Sequence, residues 1–183
     1  MLECDEPACR RSGFGPGGLF RAKGFQGVTV AEVTKAAGLT HGAFYGHFKS
    51  KDDLIVQTLD QVLSRQSGEL DLPRFLETYL SPAHCRNLAG GCPMAGLGPE
   101  TLREAPEARG AMTSGLRRQI DRLTEAMPGT SKAEKRQAAI GTWSAMVGAL
   151  ILARLSDDPQ LSDDVLTRTR AWLAGMAALP SPD

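Results

Sequence analysis

Apolar residues along this chain recur at intervals of three and four positions, the spacing of an amphipathic helix. Cap-forming residues such as Thr29, Thr40, Ser50 and Ser131 stand at the starts of these periodic stretches. No stretch alternates with a period of two, so strands are not expected. The pattern predicts an all-α protein with helices near residues 30–38, 40–48, 51–63, 71–80, 106–127, 132–155 and 162–179.

Two stretches are rich in helix-breaking residues. Residues 81–101 contain three prolines and four glycines, which predicts a loop with one short helix. Residues 13–18 contain four glycines and Pro16, so the first helix is expected to begin only near Pro16 or Gly17. The latter stretch also has the spacing Gly-x-Gly-x-x-Gly. Since no hydrophobic strand precedes it, a dinucleotide-binding fold is excluded.

Composition changes this picture mainly through the distribution of charge. The 183 residues are 42% hydrophobic and carry no net charge. Residues 10–51 hold seven bases and one acid, whereas residues 1–9 and 52–183 are each net acidic. A basic block of this kind is typical of a polyanion-binding segment. No uninterrupted apolar run is long enough to span a membrane and no signal peptide is evident, so we expect a cytoplasmic protein with reduced cysteines.

The basic block contains two short predicted helices joined at Gly38, which is the arrangement of a helix-turn-helix. In the second helix Ala43, Phe44 and Phe48 share one side, which is expected to face the core. The opposite side carries short donors, a phenol and imidazoles, with Lys49 just beyond. Such groups hydrogen-bond phosphates and base edges. The outward set comprises Thr40, His41, Gly42, Tyr45 and His47.

Residues 19–54, LFRAKGFQGVTVAEVTKAAGLTHGAFYGHFKSKDDL, resemble the DNA-binding segment of the tetracycline-repressor (TetR) family of bacterial regulators. The resemblance is carried by Leu19-Phe20, Lys23-Gly24-Phe25, Thr29-Val30, Ala37-Gly38, Tyr45, His47-Phe48 and Lys51. It implies a tail (1–12), a helix-turn-helix head (13–50) and a ligand-binding and dimerisation body (51–183).

The resemblance also assigns roles to single residues. Thr29 and Thr40 are expected to cap helices and touch phosphates, and His41 and Gly42 to meet bases. The backbone contacts are assigned to Tyr45, His47 and Lys51. Three alternatives stay open: Tyr45 as a core aromatic, His47 as an exposed or capping residue, and His41 as an exposed side chain that contacts nothing.

The family's first helix normally runs unbroken into the Leu19-Phe20 pair, so the glycine-rich residues 13–18 depart from it. Either this stretch leaves the head weakly stable, or it reflects a mis-set start or reading frame of the sequence. If it weakens the head, replacing residues 13–18 with a helix-forming apolar segment should stabilise the head and tighten DNA binding.

The body is expected to hold a small apolar or reactive effector. Candidate binding or sensing residues are Cys92, Met94, Met112, Trp143 and Met146. The alternatives are that the methionines are core residues and that Cys92 is an inert packed thiol. No Cys-x-x-Cys pair is present, so neither a metal nor another cofactor is expected. Small residues line the last two helices, where the resemblance places a homodimer interface; close packing within one subunit would look similar.

These expectations lead to a ligand-responsive transcriptional regulator, most simply a repressor, that binds near-palindromic double-stranded DNA and is not an enzyme. The alternative is a regulator-like, small-molecule-binding or thiol-reactive protein that no longer binds DNA.

Overall fold

The computed structural model describes residues 15–38, 40–64 and 68–178. Within these ranges the chain forms ten helices and no strand, which confirms the predicted all-α class. In chain order they are α1 (Pro16–Lys23), α2 (Val30–Ala37), α3 (His41–His47), α4 (Lys51–Ser64), α5 (Leu72–Tyr79), α6 (Pro82–Arg86), α7 (Pro93–Thr101), α8 (Pro106–Ala126), α9 (Lys132–Leu155) and α10 (Pro159–Ala178).

Helix starts follow the cap-forming residues. At Thr29 and at Ser131 the side chain accepts the backbone N–H three residues later, and a glutamate at that position reaches back to the cap. Thr40 and Asp71 cap α3 and α5 with single side-chain hydrogen bonds. The predicted starts of these four helices are therefore confirmed.

Two predicted boundaries are wrong. Residues 81–101 hold two helices, α6 and α7, because Pro82 and Pro93 each occupy a first-turn position, where proline is favoured. The last helix begins at Pro159 and not at Ser162, since Asp158 caps it through the N–H of Gln160. The Ser162 hydroxyl instead donates to the carbonyl of Ala153.

The chain divides into two compact units. The first joins the described residues up to Ser64 with Leu88–Thr113, so α4, α7 and the first turns of α8 share one core with α1–α3. This core therefore draws on residues beyond position 50. Its large, fully buried side chains are Phe20, Phe25, Phe44, Leu54, Ile55, Leu59 and Leu97.

The second unit comprises the described residues of 66–87, which include α5 and α6, and those from Ser114 onward. Its core is built by α9 and α10, which pack against each other, with α5 against α10 and α6 against α9. Its buried side chains include Leu123, Trp143, Met146, Leu150 and Leu166. By length and composition α9 is apolar enough to cross a membrane, contrary to the expectation from uninterrupted runs; a core helix of a globular protein meets the same criteria.

The glycines of α1 are not simply helix breakers. Helix α1 begins at Pro16, as expected, and Gly17 is buried. A Cβ added at Gly17 would lie 2.5 Å from Cγ1 of Val62 and 3.4 Å from Cγ2 of Thr58. The glycine allows α1 to lie close against α4, so replacing residues 13–18 by larger apolar residues would not stabilise the head at this position. Residues 13 and 14 of that segment, and the tail, lie outside the described residues.

We therefore expect Gly17→Ala to destabilise the first unit. Alanine would gain about 1 kcal/mol of helix propensity. Overpacking against Val62 typically costs about 1–3 kcal/mol, so a net loss of up to about 2 kcal/mol should appear in chemical denaturation. The matched control is Gly110→Ala in α8, which is exposed with no atom within 4 Å of its Cβ position and should stabilise. Equal stabilisation by both changes would contradict the packing role.

Candidate nucleic-acid interface

The pair α2 and α3 is joined by a turn whose backbone only glycine adopts readily. Gly38 has φ +67°, in the left-handed region, and its N–H donates to the last carbonyls of α2. Thr40 then accepts the N–H of Ala43 at 3.2 Å and starts α3. The chain thus forms the predicted helix-turn-helix.

One side of α3 is fixed in the core. Phe44 is 0% exposed, and its ring centroid lies 5.2 Å from that of Phe48. Phe20 and Phe25, which pack edge to face at 5.3 Å, belong to the same cluster. All four phenylalanines are core residues, as predicted, and together they set which side of α3 faces outward.

The outward side carries the predicted polar set. Tyr45 is 56% exposed, so the core alternative for this residue is wrong. Gly42 and His47 are exposed as well, and neither Gly42 nor Gly46 has an atom within 4 Å of its Cβ position. His41 begins α3, but its side chain lies outside what the structure describes.

The basic residues of the head divide into two groups. Lys23 pairs with Glu32 at 2.7 Å, and Nε of Arg21 donates to the carbonyl of Ala89 at 2.6 Å. Lys35, Lys49 and Lys51 form no ion pair with any residue that the structure describes. These three side chains are the ones that remain for an anionic partner; Arg10 and Arg11 lie outside the described ranges.

The two capping threonines differ in whether their hydroxyl protons are already used in hydrogen bonds within the protein. The Thr29 hydroxyl both accepts the N–H of Glu32 and donates to Oε2 of the Glu32 carboxylate at 3.0 Å. The Thr40 hydroxyl accepts from Ala43, and no described acceptor takes its proton. Thr40 is therefore better suited than Thr29 to donate to a phosphate.

Glu32 stays ionised at physiological pH. The Lys23 hydrogen bond, followed by the Thr29 hydrogen bonds, lowers the pKa of Glu32 from 4.5 to about 2. Because the folded-state pKa is depressed, this contribution to stability is present above about pH 4.5 and is lost as the pH falls toward 2.

The backbone N–H groups at the start of α4 are less available to a phosphate than the position of this helix after Ser50 suggests. The Ser50 hydroxyl accepts the N–H of Asp53, and the Asp53 carboxylate accepts the N–H of Lys49 at 2.9 Å. That bond, with a second from Gln57, lowers the pKa of Asp53. A carboxylate already compensates this helix N-terminus, so the lysines next to it are the stronger anion ligands.

Glu100, which the sequence does not single out, ties α7 to the head. Its Oε2 accepts the N–H of Phe25 at 2.7 Å, in the loop between α1 and α2. A Cβ at Gly24 would lie 2.7 Å from both Glu100 carboxylate oxygens, so only glycine allows this approach. The contact joins residues 75 positions apart, and no local pattern could have indicated it.

The structure divides the predicted effector residues between the two units. Met94 and Met112 pack against the head core, and Cys92 is the buried N-cap residue of α7, as its position before Pro93 suggests. Trp143 and Met146 are buried in the second unit. Among the described residues no cluster of metal-ligating side chains is found.

Comparison with known proteins concerns mainly the head. Residues 18–58 match the family model described as bacterial regulatory proteins, tetR family. The chain is similar to the HTH-type transcriptional regulator AcrR of Shigella flexneri, with 41% identity over 54 residues, which are 30% of this chain and 25% of that protein. It is also similar to the HTH-type transcriptional repressor KstR2 of Mycolicibacterium smegmatis, with 31% identity over 64 residues, 35% of this chain and 30% of that one. The matched stretches therefore span less than a third of these relatives.

Solved structures resemble the chain over nearly its whole length. The crystal structure of Escherichia coli NemR in its reduced form has a TM-score of 0.70 and 24% identity, covering 90% of this chain and 93% of that one. A TetR-family transcriptional regulator from Cytophaga hutchinsonii has a TM-score of 0.65 and 20% identity, covering 93% and 96%. At these identities the likeness shows the fold alone. Residues 18–58 therefore match the tetR family of bacterial regulatory proteins, and the chain as a whole has the fold of these solved structures.

Proposed function

We propose that this protein is a ligand-responsive, DNA-binding regulator of transcription, most simply a repressor released by a small apolar or reactive molecule. The observation that carries the proposal is the outward side of α3, where exposed Tyr45 and His47 are followed by Lys49 and Lys51, which form no ion pair among the described residues. Phosphate contacts from such side chains position a protein on DNA, and contacts at the start of the helix read the bases.

Within this proposal each residue of the interface has a stated role. The Thr40 hydroxyl, Tyr45, His47 and Lys51 hold phosphates, while Thr29 acts chiefly as the cap of α2. Gly42 lets the DNA approach the helix closely, because nothing surrounds its Cβ position. His41 is assigned to the bases on the strength of its place at the start of α3.

The second unit supports a homodimer. Large apolar residues are exposed on its last two helices, among them Leu152 and Leu155 on α9 and Trp172 on α10, which is 57% exposed. A contiguous exposed apolar surface marks an interaction site, and we propose that these side chains belong to one. A two-fold dimer would place two heads on a near-palindromic operator. We further propose that this regulator acts in the cytoplasm and needs no cofactor.

The direct test is a gel shift with DNA from beside the protein's own gene, repeated over a range of salt concentrations. A shift to a dimer complex that weakens steeply with salt supports the proposal. If no DNA, specific or random, is bound even at low salt, the regulator assignment is wrong.

Lys51→Ala is expected to weaken binding to all DNA sequences alike and to reduce the slope of log affinity against log salt by about one. Tyr45→Phe should weaken binding in the same sequence-independent way through the lost hydroxyl. The matched control is Lys132→Ala, an exposed lysine of the second unit, which should change neither quantity. His41→Ala should instead alter which sites are preferred. If the salt slope of Lys51→Ala equals that of the wild type, Lys51 does not contact a DNA phosphate.

The alternative, a thiol-reactive protein that no longer binds DNA, rests on Cys92. This thiol is at the N-cap of α7 but is only 6% exposed. Reagents would have little access to such a residue, and the open face of α3 favours the regulator.

A further inference from the structure

The position of α3 that lies furthest from the head core carries no side chain. Phe44 and Phe48, which are 0% and 6% exposed, define the side of α3 that faces the core. Gly46 is two positions from each of them, so it lies about 160° away from both around the helix axis. Gly42, one turn earlier, lies on nearly the same line, and both glycines are exposed. The outermost line of α3 is therefore bare backbone.

Nothing among the described residues of the head requires these two glycines. Neither has the positive φ that makes glycine necessary at Gly38. No atom lies within 4 Å of the Cβ position of Gly42 or Gly46, whereas a Cβ at Gly17 would collide with a side chain of α4. Glycine destabilises a helix interior more than any residue except proline, and α3 has seven residues in all. The two glycines thus weaken α3 without a compensating contact or turn inside the head.

Polar side chains flank the bare line on both sides. Tyr45 and His47 are each one position from Gly46, so they lie about 100° to either side of it. Both are exposed. In the proposed complex α3 lies in the major groove, where its outermost line meets the base edges and the flanking side chains reach the phosphates. A helix of seven residues is about 10 Å long and fits within a groove about 12 Å wide. Gly46 therefore faces the bases.

The chemistry of the bare line indicates which base it fits. The peptide groups of a helix are aligned with its axis, so a glycine presents only its apolar Cα to a surface beside the helix. In the major groove adenine, guanine and cytosine present hydrogen-bond donors and acceptors, whereas thymine adds an apolar C5-methyl group. A thymine methyl is thus the group that packs against a helix edge without side chains.

We propose that Gly46 is a specificity-determining residue, because the missing side chain lets α3 pack its bare line, at Gly42 and Gly46, directly against thymine methyls of the operator. This inference rests on the proposed function and deepens it by naming the base that α3 selects. The two Cα atoms are about 6 Å apart along the axis, so the contact covers at most about two base pairs in each half-site. Phosphate contacts supply the affinity that all sequences share.

The first test is Gly46→Ala, which adds one methyl group to the bare line. Because the position is open and helical, Tm should rise by about 2–4 °C. Affinity for the operator should nevertheless fall at least about tenfold, while affinity for random DNA stays within about twofold. Gly110→Ala on α8, at an equally open position, is the control: it should raise Tm and leave both affinities unchanged.

Three results would overturn the role of Gly46. If Gly46→Ala binds the operator as tightly as the wild type, no base lies close to this position. If it loses the same factor on operator and random DNA, the position does not contribute to base selection. If its Tm falls, the fold itself requires the glycine.

The second test replaces the thymines of the operator one at a time by deoxyuridine, which lacks only the methyl group. Wild-type affinity should fall about fourfold at one or two adjacent positions of each half-site, the effect of losing one buried methyl group. At the same positions the affinity of Gly46→Ala should rise, because the replacement relieves the collision with alanine. If the wild type tolerates every replacement, or if both proteins lose affinity at the same positions, the thymine contact is wrong.

The wild-type protein in these experiments separates this inference from the proposed function. If it binds no DNA, the regulator assignment fails and the role of Gly46 fails with it. If it binds its operator and Gly46→Ala binds equally well, the regulator assignment holds and only the role of Gly46 fails.

Discussion

Phe44→Ala is expected to destabilise the head strongly and to weaken DNA binding. Phe44 is fully buried, its ring centroid lies 5.2 Å from that of Phe48, and it belongs to the cluster that holds α1–α4 and α7 together. Truncating a buried phenylalanine costs about 3–5 kcal/mol through lost transfer energy and the cavity left behind. A domain of this size has about 5–15 kcal/mol of stability, so the loss removes a large part of it.

The measurement is urea unfolding followed by hydrogen exchange of amides in α2 and α3. Tyr45→Ala, one position later on the exposed side, is the control. The Tyr45 ring meets that of Phe44 edge to face at 5.1 Å, so its loss should cost about 0.5–1.5 kcal/mol, well below the cost of Phe44→Ala, while still weakening DNA binding. If the two variants lose equal stability, Phe44 does not hold the core of the head. If Phe44→Ala binds DNA normally, the orientation of α3 does not depend on it.

The fold was predictable where local chemistry decides it. Thr29 with Glu32 and Ser131 with Glu134 are complete capping boxes in the sequence, and each begins a helix where expected. The predicted start at Ser162 is wrong because a serine inside a helix can form a hydrogen bond elsewhere, here to the carbonyl of Ala153. The prediction of a loop with one short helix in residues 81–101 is wrong because Pro82 and Pro93 occupy helix starts, where no N–H is needed.

The candidate interface was predictable in part for the same reason. Helical spacing separates Phe44 and Phe48 from Tyr45 and His47, and in the structure the first two are buried and the last two exposed. The count of basic residues in the block, by contrast, is larger than the number of basic side chains that remain for DNA. Lys23 is paired with Glu32, and Arg21 bonds a carbonyl 68 positions away, a partner that a linear sequence does not indicate.

Long-range contacts also explain why the extent of the head was not apparent. The segment 88–113 is remote in sequence, yet it joins the first unit through Leu97 in the core and through Glu100. The burial of Gln119 on α8, where its side chain is 4% exposed, is likewise a property of packing, because a glutamine on a helix is ordinarily assumed to be solvated.

Glu100→Ala is expected to loosen the head from α7, with a loss of about 2 kcal/mol in the stability of the first unit. The Glu100 carboxylate accepts the N–H of Phe25, whose own side chain is fully buried. A hydrogen bond to a charged group contributes about 1.5–3 kcal/mol, and its removal leaves a partly buried N–H unsatisfied. Since Phe25 lies between α1 and α2, we also expect weaker DNA binding from a less ordered helix-turn-helix.

Glu104→Ala is the matched control, because Glu104 lies on the same segment and accepts from the exposed side chain of Gln26 at 3.1 Å. Exposed interactions of this kind contribute about 0.5 kcal/mol or less, so this variant should resemble the wild type. Glu100→Gln keeps a neutral acceptor and should recover about half of the loss, given that hydrogen bonds to charged groups are roughly twice as strong. The readouts are urea unfolding and protection of the Phe25 amide from hydrogen exchange. If Glu100→Ala and Glu104→Ala behave alike, or if the Phe25 amide stays protected in Glu100→Ala, α7 does not hold the head through this carboxylate.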